Sequence, residues 1–351
     1  MDKILLDLYT DYLLCSFGQT TATGLSAALD QAVSHDKITR FLANSDVSSR
    51  DLWQLVKPTV HSLTQGEGGL IVDDPIAEKA WTDENDIITW HFDHSKGRMV
   101  KGVNLLNCLY HIDGNNIPVA FEIITKPIRF CELKTHREKR KSEVSKNELV
   151  RHMLHVCGWN KLSFRFVLTD SWFASKENMT YIRLTLNKEL VMAIQGNRTV
   201  ALTEEDRRHR RLVNIETLDL QPNVTRQVFL KGVPFPVAVC QQVFKNKDGS
   251  EGVLYLVTSD TSLTYDQITT LYQKRWNVEV FHKSLNSHAA VTQSPTQTQT
   301  TQSTHFFAAI YAVFKLEQLK IKHHVNHFAL RSKIYLTALK ASFQKLQALY
   351  A

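Results

Sequence analysis

The sequence has little cysteine and no long apolar run. Its 351 residues include five cysteines, none of them in a CxxC pair: Cys15, Cys108, Cys131, Cys157 and Cys240. Cysteines this scattered are typical of free thiols in a reducing compartment. A membrane helix requires roughly 18–20 consecutive apolar residues, and no segment approaches that length. We therefore expect a cytoplasmic protein without a membrane partner.

Signals for export and for nucleotide binding are missing as well. The first segment, MDKILLDLYTDYLL, has aspartates within its apolar run and no basic leading region, so it predicts a helix rather than a signal peptide. Neither the P-loop pattern nor the GxGxxG fingerprint occurs, and we expect no nucleotide cofactor. No internal repeat divides the chain.

The composition is that of an ordinary globular protein with a moderate basic excess. Hydrophobic residues make up 43% of the chain and charged residues 22%. Forty-two Lys and Arg against 35 Asp and Glu give a formal net charge of +7. This excess permits a polyanionic partner without requiring one.

Residues 1–64 have a helical pattern. Apolar spacing predicts a first helix around Leu5–Leu13, a second over Thr23–Val33 and a third that His35 or Asp36 caps. Two short helices joined by a tight turn are similar to a DNA-binding helix-turn-helix. We interpret this segment as a helical DNA-binding region, with a simple helical bundle as the alternative.

Residues 65–187 alternate between strand and helix patterns. The run GLIVDD predicts a buried strand that ends at Asp73 and Asp74. The predicted elements that follow are a hairpin of strands Val100–His111 and Ile117–Ile124, helix Glu148–Cys157, strand Phe164–Thr169 ending at Asp170, and helix Ser175–Leu186. This order, with acids at two strand ends, is that of an RNase H-like α/β core, in which helices flank a mixed sheet.

Three further segments complete the predicted organisation. Residues 188–260 have several strand patterns and are interpreted as a β-rich insertion. The basic cluster RRHRR at 207–211 within them is expected to be a solvated loop or a phosphate-backbone contact. Residues 261–290 are interpreted as a core helix. Residues 291–351 combine a polar low-complexity tract at 292–304, which has no core-forming pattern, with a basic helical tail.

Three histidines lie close together on that basic tail: His323, His324 and His327. Their spacing superficially suggests a metal cluster. We interpret them as surface or DNA-facing groups instead.

The stretch YQKRWNVEVFHKSLN, residues 272–286, carries the most informative spacing. Four residues spaced three, four and four positions apart fall on one stripe of a helix: Tyr272, Arg275, Glu279 and Lys283. Thr264 and Gln267 form a capping-box pattern ahead of them. Arg275 and Lys283 suit phosphate oxygens, and Glu279 suits a metal. The alternative is a solvated helix face with a weak Glu279–Lys283 ion pair.

Acids from three separated segments are what a two-metal phosphoryl-transfer site requires. Two divalent cations roughly 3.5–4 Å apart activate the attacking oxygen and stabilise the leaving oxygen. Mg²⁺ and Mn²⁺ prefer hard oxygen ligands, which carboxylates provide and Cys and His do not. The sequence therefore predicts a two-ion site on Asp170, Glu279 and one of the paired aspartates, Asp73 or Asp74.

Three blocks of this sequence resemble the catalytic blocks of DDE transposases of bacterial insertion sequences: LIVDDPIAEK, VLTDSWFASKEN and YQKRWNVEVFHKSL. They are most similar to insertion-sequence family four, whose signature is Y-x2-R-x3-E-x6-K. The resemblance covers roughly residues 65–315. Its spacing agrees, with 97 residues from Asp73 to Asp170 and 109 from Asp170 to Glu279.

The resemblance assigns roles to individual positions. The first catalytic aspartate falls on Asp73 or Asp74, with Asp73 favoured because Pro75 holds the third place of the family's D-x-[ST]. The second falls on Asp170, and the glutamate falls on Glu279. Tyr272 and Arg275 match residues that hold phosphate near the cut end.

Two positions near that helix leave alternatives open. Trp276 matches a tryptophan that could stack on an unpaired base, with core packing as the alternative. The final lysine of the signature falls on Asn286, and Lys283 lies on a compatible face to replace it.

The resemblance implies a cut-and-paste DNA transposase. It would hydrolyse phosphodiesters at the ends of its element and transfer the strand, using two Mg²⁺ or Mn²⁺ ions. Its partners would be double-stranded DNA, with terminal inverted repeats and target sites, and a second copy of the chain, on the nucleoid. The alternatives are a cleavage-impaired or regulatory relative that occupies transposon ends, suggested by Asn286, and an unrelated RNase H-like nuclease.

Overall fold

A computed structural model describes residues 1–44, 46–63, 66, 68–93, 96–133, 136–245 and 248–350. Its α-helices are α1 Lys3–Cys15, α2 Ala22–Ala28, α3 His35–Ala43, α4 Ser49–Leu63, α5 Lys146–Trp159, α6 Lys176–Thr180, α7 Glu204–Arg208, α8 Tyr265–Gln273, α9 Asn277–His288, α10 Gln299–His323 and α11 His327–Tyr350. Its strands are β1 Gly68–Asp73, β2 Ile76–Glu78, β3 Thr89–Asp93, β4 Arg98–Ile112, β5 Asn115–Ile123, β6 Ile128–Glu132, β7 Arg137–Lys141, β8 Phe164–Thr169, β9 Glu189–Ile194, β10 Thr199–Ala201, β11 Val213–Asn214, β12 Arg226–Leu230, β13 Val237–Lys245 and β14 Glu251–Thr258.

A twelve-stranded mixed sheet runs through the described part of the chain. Its main path is β11-β10-β12-β13-β14-β9-β8-β1-β4-β2, with β3 and β5 also paired to β4. The pairs β1–β8 and β8–β9 are parallel, and β1–β4 and β4–β5 are antiparallel. Helices flank this sheet, so the predicted mixed α/β class is confirmed.

The elements predicted around the first two acids are present. The hairpin β4–β5 turns at Asp113 and Gly114, whose positive φ values of 49° and 74° suit a two-residue hairpin turn. Strand β8 has the predicted bounds, and α5 begins with a capping box between Ser145 and Glu148. Helix α6 continues into a π-helical turn, Tyr181–Thr185, and the two together cover most of the predicted helix Ser175–Leu186.

The strands of residues 188–260 extend the same sheet. β9 pairs in parallel with β8, and β14 pairs with β9 on its other side. The β-rich segment predicted to start at residue 188 therefore begins with β9, the strand that lies next to β8 in the same sheet. The short hairpin β6–β7 forms a separate two-stranded sheet that the sequence pattern did not predict.

The N-terminal helices pack on the rest of the protein. The Tyr9 hydroxyl on α1 is 2.9 Å from Nδ1 of His305 on α10, and both side chains are buried. Ser49 at the start of α4 bonds to both backbone groups of Phe121 on β5. The predicted boundary at residues 64 and 65 lies outside the described residues.

Two boundary predictions in this region are wrong. The second helix ends at Ala28 rather than Val33, because Asp30 and Gln31 adopt left-handed conformations with φ of 48° and 61°. The third helix is capped by Ser34, whose side chain accepts from the backbone N–H of Lys37. The two predicted caps, His35 and Asp36, are instead the first two residues of the helix, because the serine hydroxyl one residue earlier provides the N-cap acceptor.

The polar tract at 292–304 is not excluded from the core, contrary to expectation. Thr298 caps α10, and Gln302 and Thr304 in the first turns of that helix are fully buried. The apolar run that follows, from Phe306 to Leu316, packs in the core. Because the polar first turns belong to the same rigid helix, they are buried together with it. The Thr304 hydroxyl donates to the Thr300 carbonyl, which satisfies it without water.

The tail is helical, as predicted, but one of its histidines is internal. His323 and His324 are exposed. His327 is buried, with Nδ1 3.0 Å from the Ser284 hydroxyl and Nε2 2.8 Å from the buried carboxylate of Glu317. The prediction of a surface role is therefore wrong for His327, because Glu317 provides a buried acidic partner. Among the described helices, none is both long and apolar enough to cross a membrane.

Candidate active site

Two neighbouring parallel strands bring the first two acids to one edge of the sheet. In the β1–β8 pair, Ile71 lies opposite Leu168. Continuing that register by two residues places Asp73, the last residue of β1, beside Asp170, which directly follows β8. The carboxyl ends of parallel strands are where ligands bind in α/β folds.

The third acid comes from α9, but the predicted continuous helix is interrupted. α8 ends at Gln273, one 3₁₀ turn spans Lys274–Trp276, and α9 begins at Asn277. The Asn277 side chain donates to the Lys274 carbonyl at 2.8 Å, a local bond that competes with regular α-helical pairing. The capping box of Thr264 and Gln267 is confirmed.

Asp73 and Glu279 meet across this edge together with a residue that the sequence reasoning missed. One ligand atom each of Asp73, Glu279 and His282 lies within 4.8 Å of the others. Nδ1 of His282 is 3.9 Å from Oδ2 of Asp73. The signal available in the sequence was the Glu279-x-x-His282 spacing, which places the two side chains on one helix face.

Arg275 lies between the acids and two aromatic rings. Its Nη1 is 3.9 Å from Asp73 Oδ2 and 4.0 Å from Glu279 Oε1. Its guanidinium lies 5.6 Å from the ring centroid of Tyr272 and 5.5 Å from that of Trp276. Tyr272 is buried, and burial raises the pKa of its hydroxyl. The two rings therefore fix the direction of the guanidinium toward the acids.

Crowding of carboxylates changes their protonation. Burial, followed by repulsion from Asp170 and Asp74, raises the pKa of Asp73 to about 7 from 3.8. Burial also raises the pKa of Asp170, although the Trp172 N–H, 3.0 Å from its Oδ1, opposes that rise. Burial lowers the pKa of His282 to about 3, so its imidazole is neutral at pH 7.

Asp73 and Asp74 face different partners. The Asp74 carboxylate forms an ion pair with the Lys146 ammonium at the start of α5. Asp73 is the member of the pair that meets Glu279 and Arg275. The backbone that follows these two residues is fixed by Asn104 on β4, whose side-chain amide donates to the carbonyl of Asp74 at 2.8 Å.

Three other predicted positions lie at the surface. The Trp276 side chain is 60% exposed, so the alternative of core packing is wrong. Lys283 and Asn286 are exposed on α9. Within the described chain, Lys283 forms no ion pair with Asp73, Asp170 or Glu279.

A basic cavity of about 610 Å³ lies between β3, β4 and the β6–β7 hairpin. Its lining includes the apolar faces of Trp90 and Met99, four basic residues and two acidic ones: Lys126, Arg137, Lys139, Arg140, Glu84 and Glu138. Burial, together with the nearby Lys146 ammonium, lowers the pKa of Lys126 to about 8. The same Lys146 forms the ion pair with Asp74.

The RRHRR cluster is paired locally. Arg207 and Arg208 on α7 contact Glu204 at 3.3 and 3.9 Å. Arg211 contacts Glu205 at 3.3 Å and Asp206 at 2.7 Å. These pairs are typical of a solvated surface helix.

The residues at the sheet edge fit divalent cations. Asp73 and Glu279 offer carboxylate oxygens within 4.8 Å of each other, and Asp73 is near enough to Asp170 for repulsion to raise its pKa. A shared cation would offset such repulsion beyond what the single positive charge of Arg275 does.

Comparison with known proteins agrees with this chemistry. Residues 3–212 match the family model described as DDE superfamily endonuclease. Residues 139–314 match the family model described as transposase DDE domain. No curated protein matches the chain. With more than half of its length in the first match, the chain belongs to the DDE endonuclease superfamily and carries a transposase DDE domain.

Proposed function

We propose that this protein is a DNA transposase that cleaves phosphodiesters at the ends of an insertion sequence and transfers the freed strand. The observation that carries the proposal is the convergence of Asp73 and Glu279, far apart in sequence, beside Asp170 at the carboxyl ends of two parallel strands. Transposase-like nuclease activity is what the two matching family descriptions support.

We interpret the core as RNase H-like. β1, the β4–β5 hairpin, α5, β8 and α6 follow one another in the expected order of strand, hairpin, helix, strand and helix. Since β9 pairs in parallel with β8, we assign it to the core and place the start of the β-rich insertion after Ile194. The N-terminal helices α2 and α3 remain our proposed DNA-binding pair.

The acids would hold two Mg²⁺ or Mn²⁺ ions, with Asp73 shared between Glu279 on one side and Asp170 on the other. When bound, these ions activate the attacking oxygen and stabilise the leaving oxygen of an in-line displacement. The strand ends and the packed helix fix the spacing of the carboxylates, which positions the donors before DNA arrives. The N–H of Trp172 holds Asp170 in one orientation.

Arg275 and Trp276 would bind the DNA end. The rings of Tyr272 and Trp276 direct the Arg275 guanidinium, and its buried Nε has no acceptor in the described chain. The terminal N–H groups of the guanidinium fork would bind the non-bridging phosphate oxygens. The exposed Trp276 ring offers a face on which an unpaired base at the cut end can stack. Lys283 would contact the phosphate backbone further along α9.

The basic cavity gives the DNA a path toward the acids. Trp90 and Met99 offer apolar faces for a base, and Arg137 and Lys126 offer cations for phosphates. This combination of basic and aromatic groups is typical of surfaces that bind single-stranded nucleic acid. We expect two copies of the chain, one per element end, in the complex that performs strand transfer.

One experiment separates this function from its two alternatives. Purified protein, Mn²⁺ and a plasmid with the element's own ends should give breaks at those ends. A regulatory relative, which Asn286 at the signature's lysine position favours, would bind the ends without cutting. In that case Asn286→Lys should restore cutting. An unrelated RNase H-like nuclease would cut plasmids with and without the ends equally.

A further inference from the structure

An imidazole completes the cluster of Asp73 and Glu279. His282 lies three residues after Glu279, one turn along α9, and its ring faces Asp73 across the gap between helix and sheet. One ligand atom from each of the three residues lies within 4.8 Å of the others. Three side-chain atoms that can each donate an electron pair to a metal ion therefore lie close together.

Within the described chain, the nitrogens of His282 are free of the bonds that occupy most buried histidines. Its side chain is buried, with the residue 7% exposed, and Nε2 has no hydrogen-bond partner among the described residues. Nδ1 is 3.9 Å from Asp73 Oδ2, which is too long for a hydrogen bond. Nδ1 is therefore the ring nitrogen that a cation between the imidazole and the carboxylates would use, and Nε2 would keep no partner among the described residues.

Lack of partners alone does not mark a ligand, as a second histidine on the same helix shows. His288 is equally buried, and neither of its nitrogens has a hydrogen-bond partner in the described chain. Its ring packs edge-on against Phe328 at 4.5 Å. His288 is not part of the acidic cluster, whereas a ring nitrogen of His282 lies within 4.8 Å of a carboxylate oxygen of both Asp73 and Glu279.

We propose that His282 is a ligand of the cation held by Asp73 and Glu279, so that the two cation positions differ chemically. This inference rests on the proposed function. The position between Asp73 and Asp170 has only oxygen donors and suits Mg²⁺. The position with His282 has two carboxylates and one imidazole, a donor set that favours Zn²⁺ over Mn²⁺ and Mn²⁺ over Mg²⁺.

The backbone geometry supports a rigid ligand set at this position. Glu279 and His282 share one turn of α9, where Val278, Phe281 and Leu285 are buried and fix the helix against the core. Asp73 is held at the end of the central strand β1. Ligands on packed elements keep their geometry better than ligands on loops.

The direct test is pulsed electron paramagnetic resonance of untagged full-length protein with substoichiometric Mn²⁺. We expect nitrogen hyperfine modulation from a coordinated imidazole in the wild-type protein. His282→Gln should remove this modulation and weaken Mn²⁺ binding by about tenfold or more. His288→Gln, on the same helix and equally buried, should keep both.

The outcomes separate the inference from the function on which it rests. Mn²⁺ binding that Asp73→Asn abolishes, but without nitrogen modulation in the wild-type protein, would overturn the role of His282 and leave the two-ion function standing. Absence of any Mn²⁺ binding at millimolar concentrations would overturn both. The wild-type spectrum decides the question even if His282→Gln fails to fold.

A second measurement tests the predicted inequality of the two positions. Stabilisation against thermal unfolding should appear at lower concentrations of Zn²⁺ and Mn²⁺ than of Mg²⁺. In His282→Gln the ratio of the Mg²⁺ and Mn²⁺ dissociation constants should fall by about tenfold. An unchanged ratio in a folded variant would contradict the inference.

Discussion

The guanidinium of Arg275 lies 3.9 Å from the carboxylate of Asp73, measured from Nη1 to Oδ2. Asp73 is at the end of β1 and Arg275 is in the 3₁₀ turn between α8 and α9, so this approach joins the sheet to the helical segment that carries Glu279. The distance is too long for a hydrogen bond, so the N–H groups of the guanidinium are not committed to this carboxylate. The arginine therefore reduces the repulsion among the acids while remaining available to substrate.

The first prediction concerns this arginine. Arg275→Lys keeps the charge but loses the planar fork and the stacking with Tyr272 and Trp276. We expect Mn²⁺ binding close to wild type and single-turnover cleavage of an element end slower by about 10–100-fold. Lys274→Ala, an exposed neighbour in the same turn, is the matched control and should cleave normally. Equal rates for Arg275→Lys and wild type would contradict a phosphate-positioning role.

The second prediction distinguishes Asp73 from Asp74. Asp73→Asn removes the carboxylate shared by both predicted ions, and we expect a loss of cleavage of about a thousandfold or more, equivalent to roughly 4 kcal/mol. Asp74→Asn breaks the ion pair with Lys146 and should lower the cleavage rate by about 10–100-fold, as expected for a residue that positions a neighbouring metal ligand. Parallel cleavage assays compare the two. The reverse order of severity would assign the first ligand to Asp74.

The third prediction concerns pH. The pKa of Asp73 is raised by burial to about 7 in the folded protein, against 3.8 ordinarily. Between these values the folded protein keeps a proton that the unfolded chain releases, so rising pH lowers the stability of the metal-free protein. A divalent cation competes with this proton, and its affinity should rise by about tenfold per pH unit up to pH 7.

Denaturation of the metal-free protein at pH 5 and pH 7.5 measures this effect. Asp73→Asn, which cannot ionise, should be more stable than wild type at pH 7.5 by roughly 1–3 kcal/mol. The difference should shrink at pH 5. If the variant and the wild type lost stability in parallel over this range, another group would be responsible.

The local structure of the three candidate catalytic segments was largely predictable, because it depends on short-range sequence patterns. The run GLIVDD and strand Phe164–Thr169 place acids at buried strand ends, and both strands are present. The spacing around Glu279 indicates a helix face, and Glu279 does lie on a helix, although a 3₁₀ turn at Lys274–Trp276 interrupts the predicted continuous helix. His282 was missed because a neutral buried histidine on a helix looks like any core residue until the partner strand is known. The roles of all these residues remain predictions.

The errors arose where tertiary packing overrides local composition. Gln302 and Thr304 belong to a polar tract, yet they are buried because the apolar run of α10 after them enters the core. We predicted a surface position for His327 because its sequence neighbours are basic, but its imidazole contacts the Glu317 carboxylate inside the protein. The 3₁₀ turn at Arg275 depends on a side-chain bond from Asn277 that spacing alone does not reveal.

The fourth prediction concerns the basic cavity. Arg137 lines it and is exposed, and removing one phosphate contact should lower the slope of log K against log salt by about one. Arg137→Ala should therefore bind an element end more weakly at low salt. Arg208→Ala on α7, an exposed arginine paired to Glu204, is the matched control and should keep the wild-type slope. Identical slopes for both variants and wild type would exclude the cavity as a DNA path.

The most direct test of the proposed function is cleavage of a plasmid that carries the element's own ends, with Mn²⁺ or Mg²⁺, by the wild-type protein and by Asp170→Ala. The variant removes the acid after β8 and leaves Asp73 and Glu279 in place. Breaks at the element ends that depend on the metal and disappear in Asp170→Ala are the predicted result. Cleavage that persists in Asp170→Ala would contradict the three-acid site.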